Sequence, residues 1–277
     1  VISKGIFTNQ PDSLCTYSCY CDINNVISWT PENPYLYNLK IHVGEDEVLT
    51  YFAMRCFSIE KDKKGIPRFC LNHSPLYLKG ILDQGYWPDG LYTAPTDEAL
   101  LYDIKKTKEF GYNLIRKHIK VEPLMFYYYC DKYGMLVFQD FVNNGKYNFF
   151  IDTALPTIGL QKKNDKIIHT NKDERQNFIT AGEQLIPYLN NHPSIIAYTI
   201  FNEGWGQFDS NNVYHYFKAM YPNILFDSTS GWYRVADTDM DSYHWYFKNL
   251  DKLANVDHPI FLSEFGALCY KVKDHAY

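Results

Sequence analysis

The chain has 277 residues, 46% hydrophobic and 21% charged, with a formal net charge of −5. That balance excludes a disordered or collagen-like chain, and the acidic sign argues against a general nucleic-acid binder. A complete (β/α)₈ barrel takes about 250 residues, so a full β-sandwich of about 100 residues does not fit beside it.

Residues 1–58 read as β structure. Thr16–Tyr20 and Asn25–Trp29 are short and strand-like. Trp29-Thr30-Pro31-Glu32-Asn33-Pro34 is a turn, because neither proline can sit inside a central strand. Tyr35–Val43 alternates, with Leu36, Asn38, Lys40 and His42 on one face and Tyr35, Tyr37, Leu39, Ile41 and Val43 on the other. That period of two predicts a half-buried strand. Gly44–Glu47 then turns the chain into Val48–Ile59, a second strand of the same kind. Three or four strands are too few to close a sandwich, so 1–58 reads as the last part of one. Lys61–Lys64, interrupted by Asp62 and followed by Gly65, reads as a solvated hairpin tip.

From residue 59 onward, short apolar strands alternate with amphipathic helices, the pattern of βαβ units around a parallel sheet. The strand candidates are Tyr77–Leu82, Asn113–His118, Met135–Phe141, Ile195–Phe201, Ile224–Asp227, Asp241–Trp245 and Ile260–Ser263. A first helix starts from Thr96 as N-cap, with Asp97 and Glu98 in its first turn, and ends near Gly111. A second has Pro123 at its first position and stops before Gly134. A third spans about Asp173–Leu189, with Phe178, Leu185 and Leu189 on one face. Residues 142–172 are polar and irregular, a length of loop that is usually functional. The expected fold class is therefore α/β: a TIM barrel over 59–277, truncated after strand 7, preceded by the partial sandwich of 1–58. The eighth strand would follow Tyr277.

No apolar run approaches the roughly 18 residues of a membrane span, in line with a mean hydropathy of −0.36. Seven cysteines, an odd number without C-x-x-C pairs, point to reduced thiols and a cytoplasmic protein. Aromatic residues reach 17%, which suits either sugar stacking or a compositional bias.

Barrel chemistry collects at the C-terminal ends of the strands. Those ends carry Asp83, Arg116 with His118, Gln139 with Asp140, Asn202 with Glu203, Asp227 with Ser228, His244 with Tyr246, and Glu264. Burial disfavours such groups unless they are paired or used. Glu203 and Glu264 each end an apolar strand and precede residues that permit a sharp turn. Two carboxyls facing each other across a barrel mouth are the machinery of glycoside hydrolysis: one protonates the leaving oxygen, the other attacks or activates water. Mutual repulsion and burial would keep the acid protonated. There is no G-x-S-x-G, P-loop, H-E-x-x-H or helix-opening G-x-G-x-x-G. His118, His244 and Glu264 lack metal-ligand spacing, so neither a metal nor a cofactor is expected.

Four stretches resemble glycoside hydrolase family 2, the β-galactosidase, β-glucuronidase and β-mannosidase group. Trp29–Tyr37 is similar to the W-x-P-E-N-P-x-L-Y segment of the family's immunoglobulin-like domain. Asn113-Leu114-Ile115-Arg116 with His118 is similar to its N-x-x-R-x-x-H strand, the His standing one residue early. Phe201-Asn202-Glu203-Gly204-Trp205 resembles the acid/base motif, and Ser263-Glu264-Phe265-Gly266 the nucleophile motif. The resemblance implies a retaining exo-β-glycosidase for β-galactoside- or β-glucuronide-type substrates, with Glu203 as acid/base and Glu264 as nucleophile. It implies that Asn202 holds the sugar 2-hydroxyl, Arg116 lies beneath Glu264, and Tyr246 orients it. Trp205 and Trp232 would be stacking walls, and Asp83, His118, Asp140 and His244 would line the sugar site. The partner would be a carbohydrate, with neither nucleic acid nor membrane, and with room for self-association of a longer parent. Two other readings compete: a non-catalytic carbohydrate-binding remnant, and a metal-dependent barrel hydrolase.

Overall fold

The computed structural model of the chain describes residues 4–6, 19–143, 145–155, 164–231, 237–246 and 257–266. Its centre is a parallel array built from consecutive βα units. Gly80–Asp83 (β6), Leu114–Lys117 (β7), Leu136–Asp140 (β8), Ile195–Asn202 (β9) and Leu225–Ser230 (β10) form a five-stranded parallel sheet in chain order. Asp241–Tyr246 (β11) and Ile260–Gly266 (β12) form a parallel pair. The pair joins β10 through Asp239, whose amide donates to the Phe226 carbonyl at 3.1 Å and whose carboxylate accepts from the Phe226 amide. Seven parallel barrel strands are thus present among the described residues, each overlapping one of the seven sequence candidates.

Alternation along these strands sorts the core into two layers. Ile115, Val137, Tyr198 and Phe226 point outward and pack against the helices Asp97–Glu109 (α1), Leu124–Tyr133 (α2), Lys172–Leu189 (α3) and Ser210–Met220 (α4). Leu114, Leu136, Phe138, Ala197, Leu225 and Phe261 form the other cluster. Phe138 stacks on Phe261 with ring centroids 4.6 Å apart.

The helix boundaries follow their capping chemistry. Thr96 accepts from the Ala99 amide at 3.2 Å, and Asn171 accepts from the Asp173 and Glu174 amides at the start of α3. Pro123 is the N-cap of α2, at φ −56° and ψ 148°, and not its first helical residue. Gly134 ends α2 at φ 72°, the left-handed conformation that glycine adopts without penalty. α4 has no counterpart among the sequence expectations, although Asp209 stands at its N-cap and Val213, Tyr214 and Phe217 share its buried face. The 142–172 loop is not irregular throughout: Phe149–Ala154 forms a π-helical turn and Asp165–Ile167 a 3₁₀ turn.

The N-terminal region departs most from expectation. Tyr37–Val43 (β1) and Asp46–Phe52 (β2) form an antiparallel ribbon, but Val48–Ile59 is not one strand. The chain leaves β2 at Phe52 and begins Phe57–Lys61 (β3), which pairs with Pro67–Leu71 (β4) in a different sheet. The hairpin tip between them is tied by Asp62, whose Oδ1 accepts from the Lys64 and Ile66 amides. Ser74–Pro75 (β5) adds a short third strand. Phe57, Phe69 and Leu71 pack directly with Leu114, Leu136 and Phe261, so β3 and β4 belong with the barrel core. The ribbon, by contrast, is largely exposed on both faces, with Tyr37 its one buried residue. The half-buried expectation fails there because β1 and β2 pair with each other and no second layer covers them among the described residues. Asn25–Trp29 is no strand either, contributing a single bridge, Ser28 to Met54. Of Thr16–Tyr20, residues 16–18 lie outside the described residues, and 19–20 are not in a strand. Cys19, Cys21, Cys56, Cys70 and Cys130 are free thiols. Among the described residues, no helix is long and apolar enough to cross a membrane.

Candidate active site

Arg116 organises the barrel mouth. It faces inward from β7 and is 2% exposed, so its permanent charge needs partners. Nε and one terminal nitrogen clamp Asp140 at 3.1 and 3.0 Å, a bidentate pair. The same terminal nitrogen donates to Asn202 Oδ1 at 2.7 Å, and the other to Glu264 Oε1 at 3.1 Å. One guanidinium therefore ties together the ends of β8, β9 and β12.

Glu264 stands next to His244 in the β11–β12 register, just after an irregularity at Tyr243/His244. Its Oε2 accepts a hydrogen bond from the Tyr246 hydroxyl, and burial together with the acidic neighbour pushes that phenol up from its usual range. Glu203 sits across the mouth, where β9 turns sharply: Glu203 and Gly204 both have positive φ, 52° and 74°. A glutamate in that region is strained. It is held there by its amide on the Ser230 carbonyl at 2.8 Å and by the Trp205 amide on the Asn202 carbonyl at 3.0 Å. Partial burial raises the Glu203 carboxyl above the usual range, opposed by the charges of His118 and Arg116.

His244 bridges the two glutamates. Nδ1 lies 2.8 Å from Glu203 Oε1, and Nε2 lies 3.4 Å from Glu264 Oε1 and 2.8 Å from the Ser230 hydroxyl. Burial lowers its pKa to about 4, although the negative charge of Glu264 works the other way. The imidazole is therefore neutral near pH 7. With Arg116 3.3 Å from Nε2, the donors around that nitrogen make it the acceptor and assign the proton to Nδ1. Gly231 makes room for the ring: at φ +90°, a Cβ there would come within 2.8 Å of Nδ1.

The other expected site residues divide. His118 joins the cluster, 3.6 Å from Glu264 Oε1 and 3.1 Å from the Asn202 amide nitrogen, with a buried Nδ1 that has no partner among the described residues. Trp205, two residues beyond Glu203, meets Tyr147 with ring centroids 5.0 Å apart and planes tilted by 58°. Trp232 lies outside the described residues. Asp83 is a correction. Opposite Lys117 in the β6–β7 register, one place beyond Arg116, it points to the helix side and pairs with Lys117 Nζ at 2.9 Å. Asp140 is a second correction, since both its oxygens are spent on Arg116 and it is fully buried. It supports the site and offers nothing to a ligand.

Sequence reasoning places Asp227 and Ser228 at a strand end but gives no role to the polar floor beneath these groups. The hydroxyls of Ser230, Ser242 and Ser263 bond one another at 2.7–3.1 Å. Asp227 lies near them, fully buried, its pKa pushed up to about 7 by desolvation despite Arg116. The signal was present as consecutive polar residues, Asp227 to Ser230, at the end of an apolar strand.

One donor atom each from Glu203, His244 and Glu264 lie within 4.8 Å of one another, close enough to meet a divalent cation. The guanidinium of Arg116 touches the same Glu264 oxygen and approaches the same imidazole, and its fixed charge opposes a cation there.

The chain matches the family model described as "Glycosyl hydrolases family 2, TIM barrel domain" over residues 63–269. It is 24% identical over 256 residues to a β-galactosidase of Vibrio vulnificus, an alignment covering 86% of this chain and 23% of that protein. It is 33% identical over 118 residues to a putative β-glucuronidase of Formosa agariphila, covering 40% and 11%. The chain thus spans less than a quarter of these curated relatives. Among solved structures it resembles a β-D-glucuronidase for Dictyoglomus thermophilum, with TM-score 0.70, 17% identity, and coverage of 96% of this chain and 53% of that one. It also resembles a β-galacturonidase from Eisenbergiella tayi bound to galacturonate, with TM-score 0.67, 18% identity, and coverage of 95% and 49%.

Proposed function

The chain belongs to glycoside hydrolase family 2, and from that premise we propose that it carries the catalytic centre of a retaining exo-β-glycosidase. Its substrates are β-galactoside- or β-glucuronide-type sugars, cleaved in carbohydrate catabolism. Residues 1–58 are the last part of an immunoglobulin-like sandwich, and the chain from 59 onward is the barrel domain. The observation that carries the proposal is the pair of glutamates, whose nearest oxygens lie within 4.8 Å. That spacing supports direct attack, since retaining enzymes hold their carboxyls about 5–5.5 Å apart and inverting ones about 6.5–9.5 Å.

Glu264 attacks the anomeric carbon while Glu203, whose carboxyl pKa burial raises, delivers its proton to the departing oxygen. The C–O bond breaks and a glycosyl ester forms on Glu264. Glu203, now a carboxylate, takes a proton from the incoming water, whose oxygen displaces Glu264 and restores both groups. Arg116 and Tyr246 direct hydrogen bonds to the two oxygens of Glu264, which holds the nucleophile still and favours its negative charge as it leaves. His244 donates from Nδ1 to Glu203 and sets its orientation. Asn202, fixed by Arg116 and His118, meets the sugar 2-hydroxyl.

A panel of nitrophenyl β-galactoside, glucuronide, mannoside and glucoside tests the reading on the purified protein. One or more should be hydrolysed, with the β-anomer appearing first by NMR. Glu264→Gln should lower the rate by at least about 10³-fold with the melt unchanged. Sugar binding by calorimetry without turnover would replace this reading with a binding remnant, and wild-type rates in Glu264→Gln would end it.

A further inference from the structure

Resting on the proposed function, we infer that Tyr147 and Trp205 form the subsite for the leaving group, a platform that receives a ring by its face. In-line displacement sends the departing oxygen away from the attacking carboxylate and toward the acid. Glu264 stands on β12 and Glu203 follows β9 across the mouth, so the leaving group lies on the β9 side. Trp205 stands two residues beyond Glu203 on that side. It keeps 36% of its surface exposed, and Tyr147, whose ring lies 5.0 Å away and tilted by 58°, keeps 47%. Exposed aromatic rings beside a reacting centre offer a six-membered ring both apolar contact and a π-face.

The platform is held by two anchors, which separates it from a chance contact on a loose loop. Asp152, buried at the heart of the π-helical turn, accepts from the Asn148 amide at 2.7 Å and bonds His169 at 3.0 Å. The Tyr147 hydroxyl bonds Thr153 at 2.6 Å, so Tyr147 rides on this scaffold. Asp165 then ties the loop to the turn that bears Trp205, accepting from Gln207 at 2.8 Å and from the Ser210 amide at 3.1 Å. Arg175 closes the unit: it donates to three carbonyls of the 166–169 stretch while its guanidinium lies 4.8 Å from the Phe208 ring. The two loops therefore form one body, and the two rings keep a fixed relation to Glu203.

The test compares leaving groups on the sugar that the nitrophenyl panel identifies: nitrophenol, a second sugar in a β-disaccharide, and fluoride, which has no ring. The readout is the ratio of kcat/KM for a ringed substrate to that for the fluoride. Trp205→Ala and Tyr147→Ala should each lower this ratio about fivefold to tenfold, and Trp205→Phe and Tyr147→Phe should restore most of it. A fall for the nitrophenyl arm or the disaccharide arm supports the platform and identifies which ring it serves. An unchanged ratio in both alanine variants, including one produced by parallel losses on all three substrates, overturns the inference while leaving the glycosidase reading intact. A wild-type protein that turns over none of the three removes both.

Discussion

At the scale of single residues, proton positions govern the site. His244 is neutral because burial outweighs the negative charge of Glu264, so it can donate to only one of the two glutamates beside it. Its Nδ1 proton goes to Glu203, and its other nitrogen turns toward Arg116 and Ser230. Asp227 presents the opposite case, an acid whose burial raises its pKa from 3.8 to about 7. Between those values the folded state binds a proton that the unfolded state releases, so this residue stabilises the fold at low pH and loses that contribution as pH rises from about 4 to 7. Urea unfolding at pH 5 and pH 8 should show wild type losing on the order of a few kcal/mol across the window. Asp227→Asn should lose markedly less, and equal losses in the two proteins would exclude Asp227 as the source. Reading strand ends located Arg116, Asn202, Glu203, His244, Tyr246 and Glu264, the groups that the structure brings together, because an apolar strand ending in polar residues is a signal in itself. Asp83 does not join them because it closes β6 in register with Lys117, one place beyond Arg116, and so faces the helix side. Tyr147 was invisible, since a loop has no periodicity to say which ring meets which.

At the scale of elements, strands buried on both faces were the most legible, because β7, β8, β9 and β10 are buried at every position and read as continuous apolar runs ending in polar residues. The ribbon misled for the converse reason: β1 alternates in sequence without a layer to bury its apolar face. The junction between α2 and β8 shows how one residue can satisfy two demands. Gly134 needs its left-handed φ of 72°, and a Cβ there would meet the Pro31 carbonyl oxygen at 2.3 Å. Backbone strain and steric overlap act together, so Gly134→Ala should destabilise the protein by more than about 2 kcal/mol. Gly111→Ala, at φ +86° with nothing within 4 Å of its Cβ, carries the strain alone and should cost about 1 kcal/mol. Thermal melts of the two variants check the difference, and equal shifts would show that the contact with Pro31 is unimportant.

At the scale of the whole molecule, the Trp29-to-Pro34 turn is a seat on the barrel. Trp29 is fully buried and donates from its indole nitrogen to the Asp131 carbonyl at 2.8 Å. Lys108 donates to the carbonyl of Pro31. The Asp131 carboxylate accepts from Tyr51 at 2.7 Å and from the Ser194 amide at 2.9 Å, and lies 2.6 Å from His192. Trp29→Phe keeps the ring but leaves that buried carbonyl without the indole, at about 1–2 kcal/mol. Limited proteolysis should then cut the ribbon region faster than in wild type while the barrel melt moves by only a few degrees. An unchanged cleavage rate would mean that the indole bond does not fasten the segment. The sequence pattern marks this turn but not its seat, because partners that lie 102 and 77 positions apart leave no local trace.

That seat also sets an order in time. Trp29 is synthesised before α2 and well before Ser194, yet its pocket exists only when both are in place. At about 5–20 residues per second, the indole waits for roughly 8 to 30 seconds with no place to go. During that interval it is an exposed apolar side chain on a nascent chain, the kind of surface that chaperones bind.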